Sequence, residues 1–161
     1  MKLIVGFLSL CAILLSGFAG DEPKVKVTSV IDGNTIVILD NNGDQYKILL
    51  HGIDCPDSGQ NFAVEAKRML AGLVLDKQVT LVLNGKDRYG TRLGEIQAQG
   101  IPDPRYELVR TGLAWTTDSD EKLESLKQHA RSQGIGIWTE ENPTPPWLWR
   151  RQQSMLRSKT N

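Results

Sequence analysis

Two short segments of the chain combine acidic residues with turn-forming residues, and both could do chemistry. One is Asp-Gly-Asn at 32–34, and the other is Asp-Cys-Pro-Asp at 54–57. Carboxylate oxygens bind hard cations, and an ionised carboxylate can take a proton from water. The same residue types also build ordinary surface turns, since Asp and Asn accept hydrogen bonds from nearby backbone N–H groups. The composition therefore leaves a reactive site and a plain capped turn both open.

A third segment, near the C-terminus, mixes aromatic and basic side chains. Trp147, Trp149, Arg150 and Arg151 come directly after a proline-rich run at 143–146. Surfaces that bind nucleic acid combine these residue types, because bases stack on aromatic rings. Indoles beside prolines also anchor an extended segment onto a domain, and we favour that second role.

The charge balance limits how the chain can hold an anionic partner. It has 161 residues, with 19 Lys and Arg against 19 Asp and Glu, and 40% of its residues are hydrophobic. This composition excludes a disordered tail, a collagen-like fibre and a multi-span membrane protein, and the length favours one domain. A neutral chain does not attract nucleic acid by its overall field, so such a partner must be held locally.

Residues 1–19 are expected to be a signal peptide that is removed on export. One lysine precedes an apolar run over 3–15, and the residues at 16–19, Ser-Gly-Phe-Ala, leave small residues at the two positions that a signal peptidase inspects. The apolar run is shorter than the roughly 20 residues that cross a bilayer, which argues against a permanent anchor. Cleavage removes that lysine and Cys11, leaving a net charge of −1 and Cys55 without an intramolecular partner. We expect a periplasmic or extracellular protein with no membrane attachment.

Hydrophobic periodicity predicts an α+β fold. Alternating apolar residues indicate three strands over 24–50 and two more at 79–83 and 92–96. Helical spacing indicates helices at 61–75, 104–113 and 119–132. Asp118 and Glu121 are expected to form a capping box at the start of the last helix. Five strands with a helix after the third predict a five-stranded OB-type β-barrel with three α-helices.

The predicted domain covers residues 20–140. From Glu141 the composition becomes rich in Pro, Trp and Arg. Because prolines stiffen the backbone, residues 141–161 are expected to be an extended C-terminal extension packed on the domain.

Four motifs, taken in order, resemble the signatures of the staphylococcal nuclease (thermonuclease) family. They are VIDGNTI at 30–36, GIDCPD at 52–57, DRYG at 87–90 and GIW at 136–138. The resemblance extends over residues 24–151, and the family's OB barrel with three helices agrees with the predicted elements. It implies cleavage of DNA and RNA phosphodiesters with bound Ca²⁺, and hence nucleic acid as the partner.

The resemblance assigns roles to particular residues, and most of them depart from the family pattern. The metal positions are Asp54, the backbone carbonyl of Cys55, and Asn34 where the family has Asp. Asp57 takes the place of the water-activating Glu and reaches one methylene less far. The two family arginine positions are Leu49 and Thr91, and neither side chain carries a charge.

Other side chains could stand in for the missing groups. Asp32 is a candidate second metal carboxylate, and Lys47 and Arg92 are candidate cations beside a phosphate. Arg88 and Tyr89 occupy the loop in which the family holds the nucleotide. Losing one charge contact to a transition state commonly costs about 3–4 kcal/mol. We therefore expect a degraded site with weak turnover or none.

Three functional hypotheses follow. The first is an exported, monomeric protein that binds nucleic acid weakly, or cleaves it weakly, at a degraded site with reduced affinity for Ca²⁺. The second is an active, divergent Ca²⁺-dependent endonuclease that uses Asp32, Asp54 and Asp57. The third is a non-catalytic OB module that binds other proteins.

Overall fold

The computed structural model describes residues 24–97, 100 and 102–160, so the predicted signal peptide at 1–19 lies outside the described residues. In chain order the elements are β1 (Lys24–Val30), β2 (Thr35–Leu39), β3 (Gln45–Leu50), β4 (Ile53–Asp54), α1 (Ala63–Val74), β5 (Gln78–Lys86), β6 (Arg92–Gln97), α2 (Pro104–Arg110), β7 (Trp115–Thr116), α3 (Glu121–Ser132), a 3₁₀ turn (Gly136–Thr139) and α4 (Pro146–Thr160).

Five strands close into a barrel in the order β1-β2-β3-β6-β5. Neighbouring strands are antiparallel except β3 and β6, which run parallel. Alternate residues point inward, so Ile36 and Ile38 of β2 and Ile48 and Leu50 of β3 are buried. The α+β prediction of a five-stranded OB-type barrel is confirmed.

Two short strands that the sequence does not reveal form a second sheet. β4 pairs with β7 in antiparallel register, with Asp54 opposite Trp115. Each strand has two residues, too few for a hydrophobic alternation to be visible. This pairing fixes the backbone at Asp54, which the sequence analysis marks as a candidate site residue.

Helices α1, α2 and α3 cover the barrel and bury Leu70, Leu108 and Leu123. The predicted capping box on α3 is wrong by two residues. The N-cap is Asp120, whose carboxylate accepts hydrogen bonds from the backbone N–H groups of Lys122 and Leu123. Asp118 instead accepts a hydrogen bond from the N–H of Asp120.

The prediction of an extended C-terminal segment is wrong for residues 146–160, which form the fourth helix, α4. Pro146 is the first helical residue, where a fixed φ favours a helix and no N–H is needed. The N–H groups of Leu148 and Trp149 both donate to the carbonyl of Pro145. None of the helices in the described ranges is long and apolar enough to cross a membrane.

Helix α4 reaches the barrel through the segment that precedes it. The side-chain amide of Gln60 donates to the carbonyl of Thr144 at 2.7 Å. The ring of Trp147 meets Trp115 edge-on, with 6.5 Å between centroids. These contacts place α4 beside the turn that carries residues 54–57.

Candidate active site

The two acidic turns pack directly against each other. A Cβ atom on Gly33 would lie 2.6 Å from Cβ of Cys55 and 2.7 Å from Cβ of Ala66, closer than two carbons can approach. Only glycine therefore fits between Asp32 and Asn34. The carboxylate of Asp32 accepts a hydrogen bond from the N–H of Asn34 at 3.0 Å, which holds the first turn.

Asn34 joins the two turns through its buried side chain. Its Oδ1 accepts a hydrogen bond from the N–H of Cys55 at 3.3 Å, and its Nδ2 donates to the carbonyl of Ile53 at 3.4 Å. An aspartate could make the first of these bonds but not the second, because a carboxylate has no N–H. The departure from the family pattern at this position therefore has a structural role.

Asp54 and Asp57 converge on one cation, Arg150 of α4. Nη2 of Arg150 is 2.6 Å from Oδ2 of Asp54, and Nη1 is 3.1 Å from Oδ2 and 3.2 Å from Oδ1 of Asp57. Nη1 also lies 3.3 Å from Oδ1 of Asp54. A guanidinium held in this way offsets one of the two negative charges of an ionised carboxylate pair.

Burial makes both carboxyl groups weaker acids than exposed aspartates. The Asp54 side chain is 15% exposed, and loss of hydration raises its pKa, with the charge of Asp32 acting in the same direction. Burial and the charge of Asp54 likewise raise the pKa of Asp57. Arg150 opposes both shifts without cancelling them. Each carboxylate is therefore a stronger base than usual.

The turn after Asp57 is held by Gln60. The N–H of Asp57 donates to Oε1 of Gln60 at 2.9 Å, and the N–H of Gln60 donates to the carbonyl of Asp57. The same glutamine is bonded to Thr144, so one side chain ties the acidic turn to the segment before α4.

The fit of a Ca²⁺ ion to these residues is poor. Oxygen atoms are the ligands that Ca²⁺ prefers. However, the carboxylates of Asp54 and Asp57 face the guanidinium of Arg150, and the side-chain oxygen of Asn34 already accepts a hydrogen bond from a backbone N–H. Across residues 24–97 and 102–160, no three His, Cys, Asp or Glu side chains are arranged to hold a metal ion. The Cys55 thiol is no alternative ligand, since burial raises its pKa well above its usual value.

The candidate cations Lys47 and Arg92 lie apart from the carboxylates. The guanidinium of Arg92 stacks on the ring of Tyr46, 3.7 Å from its centroid. Lys47 is exposed and lines a shallow depression together with Arg92 and Tyr89. Neither cation forms an ion pair with Asp54 or Asp57 in the part of the chain that the structure describes.

The side chains at the two family arginine positions, Leu49 and Thr91, are uncharged. Leu49 is half-buried in the sheet, opposite Thr35 of β2 and Leu93 of β6. The N–H of Thr91 donates to the carboxylate of Asp87 at 2.8 Å. The N–H of Tyr89 donates to the same oxygen, so Asp87 shapes the loop from inside.

Arg88 and Tyr89 project from the tip of this loop. The Tyr89 side chain is 77% exposed, and the guanidinium of Arg88 lies 4.8 Å from the centroid of its ring. An exposed ring with a neighbouring cation is suited to stacking on a base beside its phosphate.

Two arginines with central positions are not found by reasoning from the sequence. The local composition marks Arg150 only as part of a basic and aromatic segment, because its partners are remote in the chain. Arg105 gives no sequence signal, yet it is 3% exposed and bonds Asp103 and Glu95 at 2.7 Å each. It also donates to the carbonyl of His51 at 3.4 Å, which holds the end of β3 against α2.

Comparison with known proteins gives concordant matches. Residues 47–140 match the family described as "Staphylococcal nuclease homologue". A Haemophilus influenzae protein named "Uncharacterized endonuclease" is 32% identical over 159 residues, covering 96% of this chain and 88% of the relative. An Escherichia coli O157:H7 protein of the same name is 34% identical over 131 residues, covering 80% and 85%. A Shigella flexneri protein named "Micrococcal nuclease" is 32% identical over 139 residues, covering 78% and 79%.

Proposed function

Because this chain belongs to the staphylococcal nuclease family, we propose that it binds the phosphodiester backbone of nucleic acid at Asp54, Asp57 and Arg150 and hydrolyses it slowly. The observation that carries the proposal is the single guanidinium held between two carboxylates. Since the family arginine positions are Leu49 and Thr91, Arg150 is the group that supplies positive charge to the phosphate.

In the proposed reaction, water attacks phosphorus while the Asp57 carboxylate takes its proton. The bond from phosphorus to the leaving oxygen breaks, and that oxygen takes a proton from solvent. The raised pKa of Asp57 supports its role as base, because it holds the proton better than an ordinary aspartate. A guanidinium has five N–H groups, so Arg150 can face phosphoryl oxygens while Nη1 and Nη2 keep one bond each to the carboxylates.

Turnover is expected to be slow for two reasons. One arginine does the work that two do in the family pattern, and loss of one such charge contact costs about two to three powers of ten in rate. The base is an aspartate, which reaches one methylene less far than glutamate. Calcium has no step in this proposal, because the carboxylates converge on Arg150 instead.

The test is cleavage of end-labelled single-stranded DNA and RNA oligonucleotides by the purified protein, with Ca²⁺ and with EDTA. We expect the wild-type protein to cleave slowly at internal positions both with Ca²⁺ and with EDTA. The cleavage rate is expected to be at least about 100-fold lower in Asp57→Asn and in Arg150→Gln. Arg68→Gln, at an exposed arginine of α1, is the matched control and is expected to cleave at the wild-type rate. Equal cleavage by Asp57→Asn, or neither cleavage nor binding, contradicts the proposal. Cleavage that requires Ca²⁺ would instead favour the divergent calcium-dependent endonuclease.

We also propose that the protein is exported and acts outside the cytoplasm. The support is the sequence pattern of residues 1–19 alone. Mass spectrometry of the periplasmic and extracellular fractions is expected to find a mature N-terminus at Gly20. Recovery of the chain with its leader intact in the cytoplasm would contradict it.

A further inference from the structure

A groove of about 450 Å³ lies between the loop at 87–91 and helix α4. The loop contributes Arg88 and Tyr89, and the helix contributes Trp147, Arg150, Arg151, Ser154 and Met155. The helix residues follow the spacing i, i+3, i+4, i+7 and i+8, so they lie along one face of α4. Arg150 also lines the neighbouring depression that contains Asp32 and Asp57. The groove therefore leads to the carboxylate pair.

Aromatic rings stand on both walls of this groove. Tyr89 is 77% exposed on the loop wall, and Trp147 is 42% exposed on the helix wall. Trp147 packs against Trp115 in a T-shaped arrangement, which restrains the indole while leaving part of it uncovered. Fixed, uncovered rings lose little conformational entropy when a planar ligand stacks on them.

The charge of the groove is positive although the chain is neutral. Arg88 and Arg151 line it, and no acidic residue is among its lining residues in the described part of the chain. Arg150 lines it too, but its charge is paired with Asp54 and Asp57. The whole chain has 19 basic and 19 acidic residues, so this is a local concentration of one sign. The groove therefore suits a ligand that carries regularly spaced anionic groups and planar rings.

A single strand of nucleic acid has both features, and it is favoured over two other polyanions. In a duplex the bases are stacked on each other, so they cannot stack on Tyr89 or Trp147. An acidic peptide has the charge but leaves the exposed rings without partners.

We propose that α4 forms the second wall of a binding groove for single-stranded nucleic acid, in which bases stack on Tyr89 and Trp147 and phosphates meet Arg88 and Arg151. Resemblance to the family places the nucleotide at the loop, and α4 adds the opposite side. This inference rests on the proposed function, because it describes the path by which a strand reaches Asp57 and Arg150.

The test measures binding without cleavage. The background variant is Asp57→Asn, and the probes are a fluorescein-labelled 12-nucleotide oligothymidylate, the same length of oligouridylate, a 12-base-pair DNA duplex and an acidic peptide, followed by anisotropy. We expect Tyr89→Ala and Arg151→Gln each to raise the Kd for the single strands about tenfold. Arg151→Gln is also expected to make the negative slope of log binding constant against log salt concentration shallower by about 0.7. Tyr89→Phe keeps the ring and is expected to recover most of the binding that Tyr89→Ala loses. Arg68→Gln changes an exposed arginine outside the groove and is expected to bind normally.

Three outcomes would overturn the inference. The groove variants bind like Arg68→Gln, or the duplex binds as tightly as the single strands, or the acidic peptide does. These results are separate from the fate of the cleavage proposal. If the groove variants weaken binding while the protein without the Asp57→Asn change cleaves nothing, the hydrolytic role fails and the groove is supported. If that protein cleaves and the groove variants bind normally, the groove alone is overturned.

Discussion

Nη2 of Arg150 lies 2.6 Å from Oδ2 of Asp54, although the two residues are 96 positions apart in the chain. The contact places a positively charged side chain of α4 against β4, in the two-stranded sheet beside the barrel. It also explains how a half-buried pair of aspartates is compensated, since burying charge without a partner is costly. Helix α4 is thus part of the candidate site.

Removal of this cation is expected to lower stability in a pH-dependent way. The pKa values of Asp54 and Asp57 are raised by burial, and Arg150 holds them lower than they would otherwise be. A raised folded-state pKa means that stability is lost as pH rises through that pKa. In Arg150→Gln both pKa values rise further, so this loss grows.

Urea unfolding at two pH values checks that prediction. Arg150→Gln is expected to be about 1 kcal/mol less stable than wild type at pH 7, because the pair is half-exposed. The difference is expected to shrink toward pH 4, near the ordinary pKa of Asp at about 3.9. Arg151→Gln is the control, with no difference expected. A loss of stability equal at both pH values would contradict the ion-pair explanation.

Asn34→Asp, which restores the family residue, is expected to destabilise the protein. The variant loses the hydrogen bond from Nδ2 to the carbonyl of Ile53 and adds a buried negative charge near Asp32 and Asp54. An unsatisfied buried acceptor costs about 1–3 kcal/mol, so we expect about 2 kcal/mol by urea unfolding at pH 7. Asn42→Asp, at an exposed turn position, is the matched control. Unchanged stability of Asn34→Asp would show that its amide bonds have no net value.

The barrel could be predicted because its signals are local. Alternation over 24–50 and the turn residues between the strands specify β1 to β3 without any remote contact. Helix α4 could not be predicted in this way, because the prolines before it are equally compatible with an extended segment. The one feature that favours a helix over an extended segment is Pro146 at the first helical position.

The site could be predicted only in part, for a related reason. Motif spacing marks Asp54 and Asp57 as candidate site residues because they lie in one short turn. The contact of Arg150 depends on where α4 packs, and α4 is placed by Gln60 and Trp115, which belong to other elements. The sequence shows that Leu49 and Thr91 stand where the family has arginines. It does not show that Arg150 of α4 lies beside the two aspartates.

The Cys55 thiol is expected to be unreactive in the folded protein. It is 1% exposed, and burial and the nearby carboxylates raise its pKa well above its usual value. Since thiolate is the reactive form, Ellman's reagent should react only after unfolding, at least about 100-fold more slowly without urea than with it. A Cys11→Ser chain leaves one thiol to count. Rapid reaction of the folded protein would contradict the buried position.

Arg105 is expected to be the most costly arginine to replace. Its guanidinium is buried between Asp103 and Glu95, and Arg105→Met would leave both carboxylates without their cation. Breaking a buried pair from one side costs about 3–5 kcal/mol. Arg110→Met, on the same helix, removes an exposed pair with Glu107 and should cost less than about 1 kcal/mol. The free energies of unfolding of both variants are measured in urea. Equal losses of stability would show that burial of the Arg105 network does not increase its contribution to stability.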